Sequence, residues 1–87
     1  MWFFYILRCA DDSLYIGETN NTTKRLEDHN RGRGGPHTFK RRPVALAYAE
    51  QHPTRADCLA RERQVKGWTR AKKEALIAGN MSALKKL

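Results

Sequence analysis

The chain has 87 residues, about 40% of them apolar, which suits one domain with one modest core. No apolar run approaches the roughly 20 residues that a membrane span requires. The Trp2–Leu7 run is too short for a signal h-region, lacks a basic segment before it and leads straight into Arg8, so the expected location is the cytoplasm. The formal net charge of +8 and a pI near 10 call for a polyanionic partner, nucleic acid first and an anionic membrane surface second. Ribosomal and chromatin-type proteins share this composition, so charge names a class of partner and no activity.

Trp2 to Cys9 reads as a strand and Ser13 to Glu18 as a second, joined by a polar turn. Directly opposed residues of a hairpin share a face, so loop length decides where Tyr5 and Tyr15 point. A two-residue loop at Asp11-Asp12 would pair Tyr5 with Glu18 and turn the two rings to opposite faces. A three-residue loop, Ala10-Asp11-Asp12, pairs Cys9 with Ser13 and Tyr5 with Gly17. Tyr15 then lies diagonal to Tyr5 on one face, roughly 7–8 Å away by backbone spacing. Gly17 would leave space beside the Tyr5 ring. The expectation is the odd-length loop or a bulge. Both faces of the first strand are apolar, with Trp2, Phe4 and Ile6 on one and Phe3, Tyr5 and Leu7 on the other. That pattern predicts a sheet covered on both sides.

Thr19-Asn20-Asn21-Thr22 offers several N-caps for a helix over Thr23 to Arg31 that stops at Gly32. Arg25 and His29, four residues apart, project from one helix face. They form either an ordinary exposed basic face or a pair turned to chemistry. Gly32-Arg33-Gly34-Gly35-Pro36 cannot hold a regular element. With Arg31 before it and Lys40, Arg41 and Arg42 beyond, it makes a basic loop. Freed amides and guanidinium groups there suit phosphate contact; the alternative is a solvated connector.

Pro43 opens a third strand over Val44 to Gln51, in which Val44, Leu46 and Tyr48 alternate with alanines, a pattern that can be buried on both sides. Thr54 with Asp57 resembles a capping box at the start of a helix over Arg55 to Gly67. Its inward stripe is Cys58, Leu59, Val65 and Trp68, and Glu62 lies in the middle of it. A carboxylate there is costly unless it is paired or bound to a metal. A Glu62–Lys66 pair at i,i+4 is the plain alternative. Thr69 caps a last helix over Arg70 to Ala78 that ends near Gly79. Residues 1–80 are expected to form the domain, and residues 81–87 a short basic tail with a further helical turn. Cys9 and Cys58 lack metal-type spacing and are expected to be reduced and structural.

Taken in order, Phe3-Phe4-Tyr5, Tyr15-Ile16-Gly17, Arg25-Leu26-Glu27-Asp28-His29-Asn30 and Glu62 resemble the GIY-YIG nuclease domain. The likeness runs from Trp2 to about Ile77 and is nearest to the small stand-alone bacterial YhbQ-like group. It extends to the N-terminal nuclease module of the bacterial excision-repair incision subunit. The second tripeptide is intact. The first lacks its Gly and Ile but keeps the tyrosine that carries the chemistry. The resemblance implies an α/β fold, a small three-stranded, mostly antiparallel sheet flanked by about three helices in the order β-β-α-β-α-α.

It also implies metal-dependent hydrolysis of a DNA phosphodiester at a single divalent ion, Mg²⁺ or Mn²⁺. Tyr5 matches the general base and Tyr15 the residue that positions water and phosphate. Arg25 would stabilise charge on the scissile phosphate, His29 would tune or relay the proton, and Glu62 would bind the metal. A lone tyrosine, with a pKa of about 10, is a poor base at neutral pH. A nearby cation, Arg25 and His29 would favour its phenolate. Arg31, Arg33, Lys40, Arg41, Arg42 and Lys66 are the expected nucleic-acid contacts. Some members carry a late asparagine after the glutamate. The comparable region here holds Lys72, Lys73 and Glu74, with Asn80 beyond, so Asn80 or Lys66 would have to stand in for it. The implied partner is DNA, branched or single-stranded forms included, ahead of RNA and not a membrane. The oligomeric state is left open, a monomer included. The implied activity is a structure-selective or weakly sequence-specific endonuclease of DNA repair or recombination. A nucleic-acid-binding module with little or no catalysis is the alternative.

Overall fold

The structure, a computed structural model, describes residues 1–86. Strand β1 (Trp2–Arg8) lies at the centre of a three-stranded sheet of order β2-β1-β3, with β2 at Leu14–Thr19 and β3 at Ala45–His52. Both neighbours of β1 run antiparallel to it. The helices are α1 (Thr22–Asn30), α2 (Pro36–Phe39), α3 (Arg55–Lys66), α4 (Arg70–Ala78) and α5 (Met81–Lys86). The expected α/β architecture holds. It gains a one-turn helix, α2, inside the basic loop, and the expected helical turn near the C-terminus is α5.

The hairpin adopts the odd-length register. Tyr5 pairs with Gly17 and Leu7 with Tyr15. The Cys9 amide donates to the Ser13 carbonyl at 2.9 Å, closing the Ala10-Asp11-Asp12 loop. Asp12 takes a left-handed conformation (φ 69°) at the third loop position. Aspartate tolerates it because its side chain adds little bulk and can bond locally. The Arg8 guanidinium secures the turn by binding Asp12 at 3.0 Å and the Glu74 carboxylate of α4 at 2.9 and 2.6 Å.

Two apolar layers flank β1, as its sequence predicts. Phe4 and Ile6 pack with Ile16, Cys58, Val65 and Leu76 under α3 and α4. Tyr5, Leu7 and Cys9 pack with Val44 on the other side, against Leu26 of α1 and Tyr15. Both cysteines are free and buried, one in each layer. The helix caps fall at Asn21, Thr54 and Thr69, each of whose side chains accepts an amide of the first turn.

Strand β3 departs from expectation. Its ladder partners shift between Ile6 and Leu7: Ile6 faces Tyr48, but Leu7 faces Leu46, leaving Ala47 as an extra residue. The bulge sends Tyr48 to the Phe4 layer and Leu46 to the opposite face, where it is 40% exposed. The strand is also an edge, so its alanines are half-buried or exposed rather than covered on both sides.

Candidate active site

The centre of the site is the Tyr5 hydroxyl. Tyr5 lies on the central strand with its ring across Gly17, so a Cβ at 17 would stand 2.6 Å from the phenol oxygen. Helix α1 brings two side chains to that oxygen from positions one turn apart. Arg25 Nε donates to it at 3.4 Å, and His29 Nε2 lies 3.1 Å away. The reading of Arg25 and His29 as a solvated face is overturned, because His29 is completely buried.

The other ring nitrogen of His29 is also engaged. His29 Nδ1 is 2.8 Å from the hydroxyl of Thr38, a fully buried residue of α2. The phenol oxygen accepts from Arg25, and the arrangement that also gives the phenol proton an acceptor sends it to His29 Nε2. The Nδ1 proton then goes to Thr38 Oγ1, and the imidazole is neutral with one N–H. Burial, with the Arg25 charge beside it, lowers the His29 pKa to about 4 and keeps that state at neutral pH. Burial also raises the Tyr5 pKa above its ordinary value, and the hydrogen bond and charge of Arg25 only partly offset it. In the free protein the phenol is therefore protonated: of the three groups expected to favour phenolate, a cation, Arg25 and His29, the two side chains by themselves do not suffice.

Sequence reasoning missed Thr38, His37 and Gly34. Gly34 belongs to the stretch read as irregular, and His37 and Thr38 lie between it and Lys40. Gly34 packs directly on the His29 imidazole, where any side chain would collide with the ring. His37 lies against Tyr15, with ring centroids 5.7 Å apart. The available signal was Pro36, since proline favours the first position of a helix.

Tyr15 joins two halves of the site. Its ring stands edge-on to His29 at 5.1 Å. It also lines a cleft of about 270 Å³ with Leu14, Ile16, His37, Glu62, Lys66 and Lys73. The Glu62 side chain is 13% exposed. Its Oε1 binds Lys66 Nζ at 2.7 Å, while its Oε2 is buried and, among the described residues, without a hydrogen-bond partner. Of the two sequence readings of Glu62, the i,i+4 pair with Lys66 is observed. A lone carboxylate suits Mg²⁺ or Mn²⁺, which are held by one or two carboxylates together with waters and substrate phosphate. Among the described residues no group of three or more His, Cys, Asp or Glu gathers to form an all-protein metal cage.

The expected nucleic-acid contacts divide into two kinds. Arg31, Arg33, Lys40 and Arg42 are exposed around α2. Arg41 is engaged internally, bound to Asp11 at 3.0 Å and donating to the His37 carbonyl at 2.9 Å. In the region of the late asparagine, Glu74 binds Arg8 and Arg70, and Lys72 lies over the Trp68 ring at 4.4 Å. Lys66 and Lys73, and not Asn80, line the cleft beside Glu62. No helix among the described residues is long and apolar enough to cross a membrane.

Residues 1–75 match the GIY-YIG catalytic domain. Over 75 residues the chain is 48% identical to a UPF0213 protein of Bacillus pumilus, covering 86% of this chain and 76% of the relative. It is 47% identical over 75 residues to a UPF0213 protein of Staphylococcus aureus, covering 86% and 92%. The solution NMR structure of a UPF0213 protein from Bacillus halodurans is similar at 32% identity with a TM-score of 0.58, covering 98% of this chain and 94% of that one. With its paired tyrosines, the helix that brings Arg25 and His29 to them, and this similarity over most of its length, the chain belongs to the GIY-YIG catalytic-domain family, a family of nucleases.

Proposed function

We propose that the protein is a metal-dependent DNA endonuclease of the cytoplasm, selective for DNA structure or only weakly for sequence, with a role in DNA repair or recombination. The observation that supports it most is the Tyr5 hydroxyl held between Arg25 and His29, one ring away from a cleft with a buried, half-partnered carboxylate.

Hydrolysis of a phosphodiester requires that a water lose a proton and that charge on the phosphate be offset. Tyr5, as phenolate, takes the water proton. His29 Nε2 accepts the phenol proton, and Thr38 holds the imidazole in the tautomer that leaves Nε2 free to do so. Arg25 stabilises the phenolate through Nε and offers the rest of its guanidinium to a non-bridging phosphate oxygen. Tyr15 orients water and phosphate. Glu62 holds the divalent ion, which when bound supplies Lewis-acid stabilisation of the developing charge. Since Tyr5 and His29 are both neutral in the free protein, the proton moves only once the anionic phosphate has raised the basicity of His29. Arg31, Arg33, Lys40 and Arg42 bind flanking phosphates, and Lys66 joins them when it leaves Glu62.

The Lys66–Glu62 ion pair favours a second reading, because an ammonium already neutralises the carboxylate and a binding module would need no metal. Cleavage of duplex, single-stranded, flap, fork and nicked DNA with Mg²⁺ or Mn²⁺, run beside Tyr5→Phe, decides between them. Cutting by wild type that vanishes in Tyr5→Phe upholds the nuclease. Binding without cutting on every substrate establishes the second reading.

A further inference from the structure

Next to Thr38, and outside the cleft, α2 ends in an aromatic side chain that is not part of either apolar layer. Phe39 is 53% exposed. The Arg42 guanidinium lies over its ring at 4.5 Å from the centroid. That guanidinium is fixed rather than free, donating through Nε to the Phe39 carbonyl at 3.0 Å and through Nη1 to the Asn30 carbonyl at 3.3 Å. Asn30 is itself clamped to Val44 by two hydrogen bonds of 3.0 and 2.7 Å. The stack rests on Gly32, whose φ is +85° and where a Cβ would stand 3.0 Å from both Phe39 Cε2 and Arg42 Nη1. A side chain at 32 would therefore push the stack apart as well as strain the backbone.

One exposed apolar side chain is ordinary on a protein surface, and it is the surroundings of this ring that give it meaning. Arg31, Arg33 and Lys40 are exposed nearby in the chain, and among the described residues none of them, nor Arg42, takes part in a salt bridge. A flat π-face within unpaired cationic side chains suits a flat, electron-rich ring that carries phosphates on either side. A nucleobase of a single strand fits that description, and a base in an intact duplex cannot reach such a face because both of its own faces are already stacked.

We infer that the Phe39–Arg42 stack is a binding step for one unpaired nucleobase, and that it directs the protein to DNA with an unpaired nucleotide beside the duplex. This rests on the nuclease reading only in taking DNA as the partner. Phe39 follows Thr38, which bonds His29, so one helical turn carries both the exposed ring and the residue that contacts the site histidine.

The test is the affinity, in EDTA, for a fork with unpaired arms and for a fully paired duplex of equal length, using wild type, Phe39→Ala and Phe39→Trp. A stacked base contributes roughly five- to hundredfold to affinity, so wild type is expected to prefer the fork by a factor in that range. Phe39→Ala should bring the ratio of the two affinities close to one, and Phe39→Trp should keep or raise it. Because Phe39 is exposed, Phe39→Ala should melt like wild type. Equal loss on fork and duplex, or an unchanged ratio in Phe39→Ala, overturns the inference and leaves the nuclease reading standing. Failure to bind any DNA overturns both.

Discussion

Gly17 and Tyr5 face each other across the β1–β2 ladder, and the phenol occupies the volume that a side chain at 17 would need. The position of the proposed base is thus set by a missing methyl group. Gly17→Ala should displace the Tyr5 hydroxyl from Arg25 and His29 and cost roughly 1–3 kcal/mol through overpacking. Thermal melting and cleavage of a fork are the measurements. A variant that melts and cuts like wild type would show that the ring has room elsewhere.

Removing only the phenol oxygen separates chemistry from packing. Tyr5→Phe keeps the ring and leaves Arg25 Nε and His29 Nε2 without their shared partner, a cost of about 1 kcal/mol in stability. Loss of a general base lowers the rate roughly 10²- to 10⁴-fold. Single-turnover cleavage beside a melting curve should show a large kinetic effect and a small thermal one.

In the proposed reaction Thr38 would act through His29, as a positioning residue. In Thr38→Val the Nδ1 proton loses its acceptor, and the imidazole is free to take the other tautomer. Nitrogen NMR of His29 should show protonation moving away from Nδ1, with cleavage reduced and stability lower by about 1–3 kcal/mol. Thr38→Ser should restore the signal. An unaltered His29 spectrum in Thr38→Val would mean that the hydroxyl does not set the tautomer.

The buried histidine also predicts how stability depends on pH. In the unfolded chain His29 titrates near 6.5 and in the fold near 4, so the unfolded state binds more protons between those values. The contribution is fully present above pH 6.5 and is lost as pH falls toward 4. Roughly 2 kcal/mol should disappear between pH 6.5 and 4.5. The Arg8-bound Glu74, whose pKa is lowered to about 2, loses its contribution only below about 4.5 and lies outside that window. Denaturant melts of wild type and His29→Gln over this range should differ in slope; parallel curves would place the titration elsewhere.

At the cleft, Lys66 competes with any cation for Glu62. Its side chain is 57% exposed, so the pair is partly screened by solvent and its removal is worth about 1 kcal/mol or less. Lys66→Gln should tighten Mn²⁺ binding by up to about fivefold in calorimetric titration, and Glu62→Gln should abolish it. Looser binding in Lys66→Gln would mean that Lys66 supports the site instead of competing for it.

Much of this arrangement is written locally. Register follows from a loop-length argument that tests Tyr5 against Gly17 or Glu18, and the caps at Thr54 and Thr69 follow from single side chains. The apolar residues on both sides of β1 declare a central strand. Other features depend on distant contacts. The bulge at Ala47 comes from how β3 meets β1 and leaves no mark in an alternating sequence, so Leu46 and Tyr48 seem to share a face when they do not. Thr38 is an unremarkable residue in a basic, glycine-rich stretch until Gly34 lets the chain fold onto His29. Likewise, nothing about Arg41 in sequence separates it from Arg42, yet Asp11 claims one while Phe39 takes the other.

Finally, β3 lies at the edge of the sheet and carries the exposed Leu46, and among the described residues no strand pairs with its outer side. Such an edge invites a second copy to add on. The net charge of +8 opposes that encounter by mutual repulsion between copies. The charge that recruits a polyanion is therefore also the colloidal protection of the free protein. Neutralisation by DNA withdraws that protection, so copies crowded along one DNA molecule should self-associate at concentrations where the free protein stays dispersed.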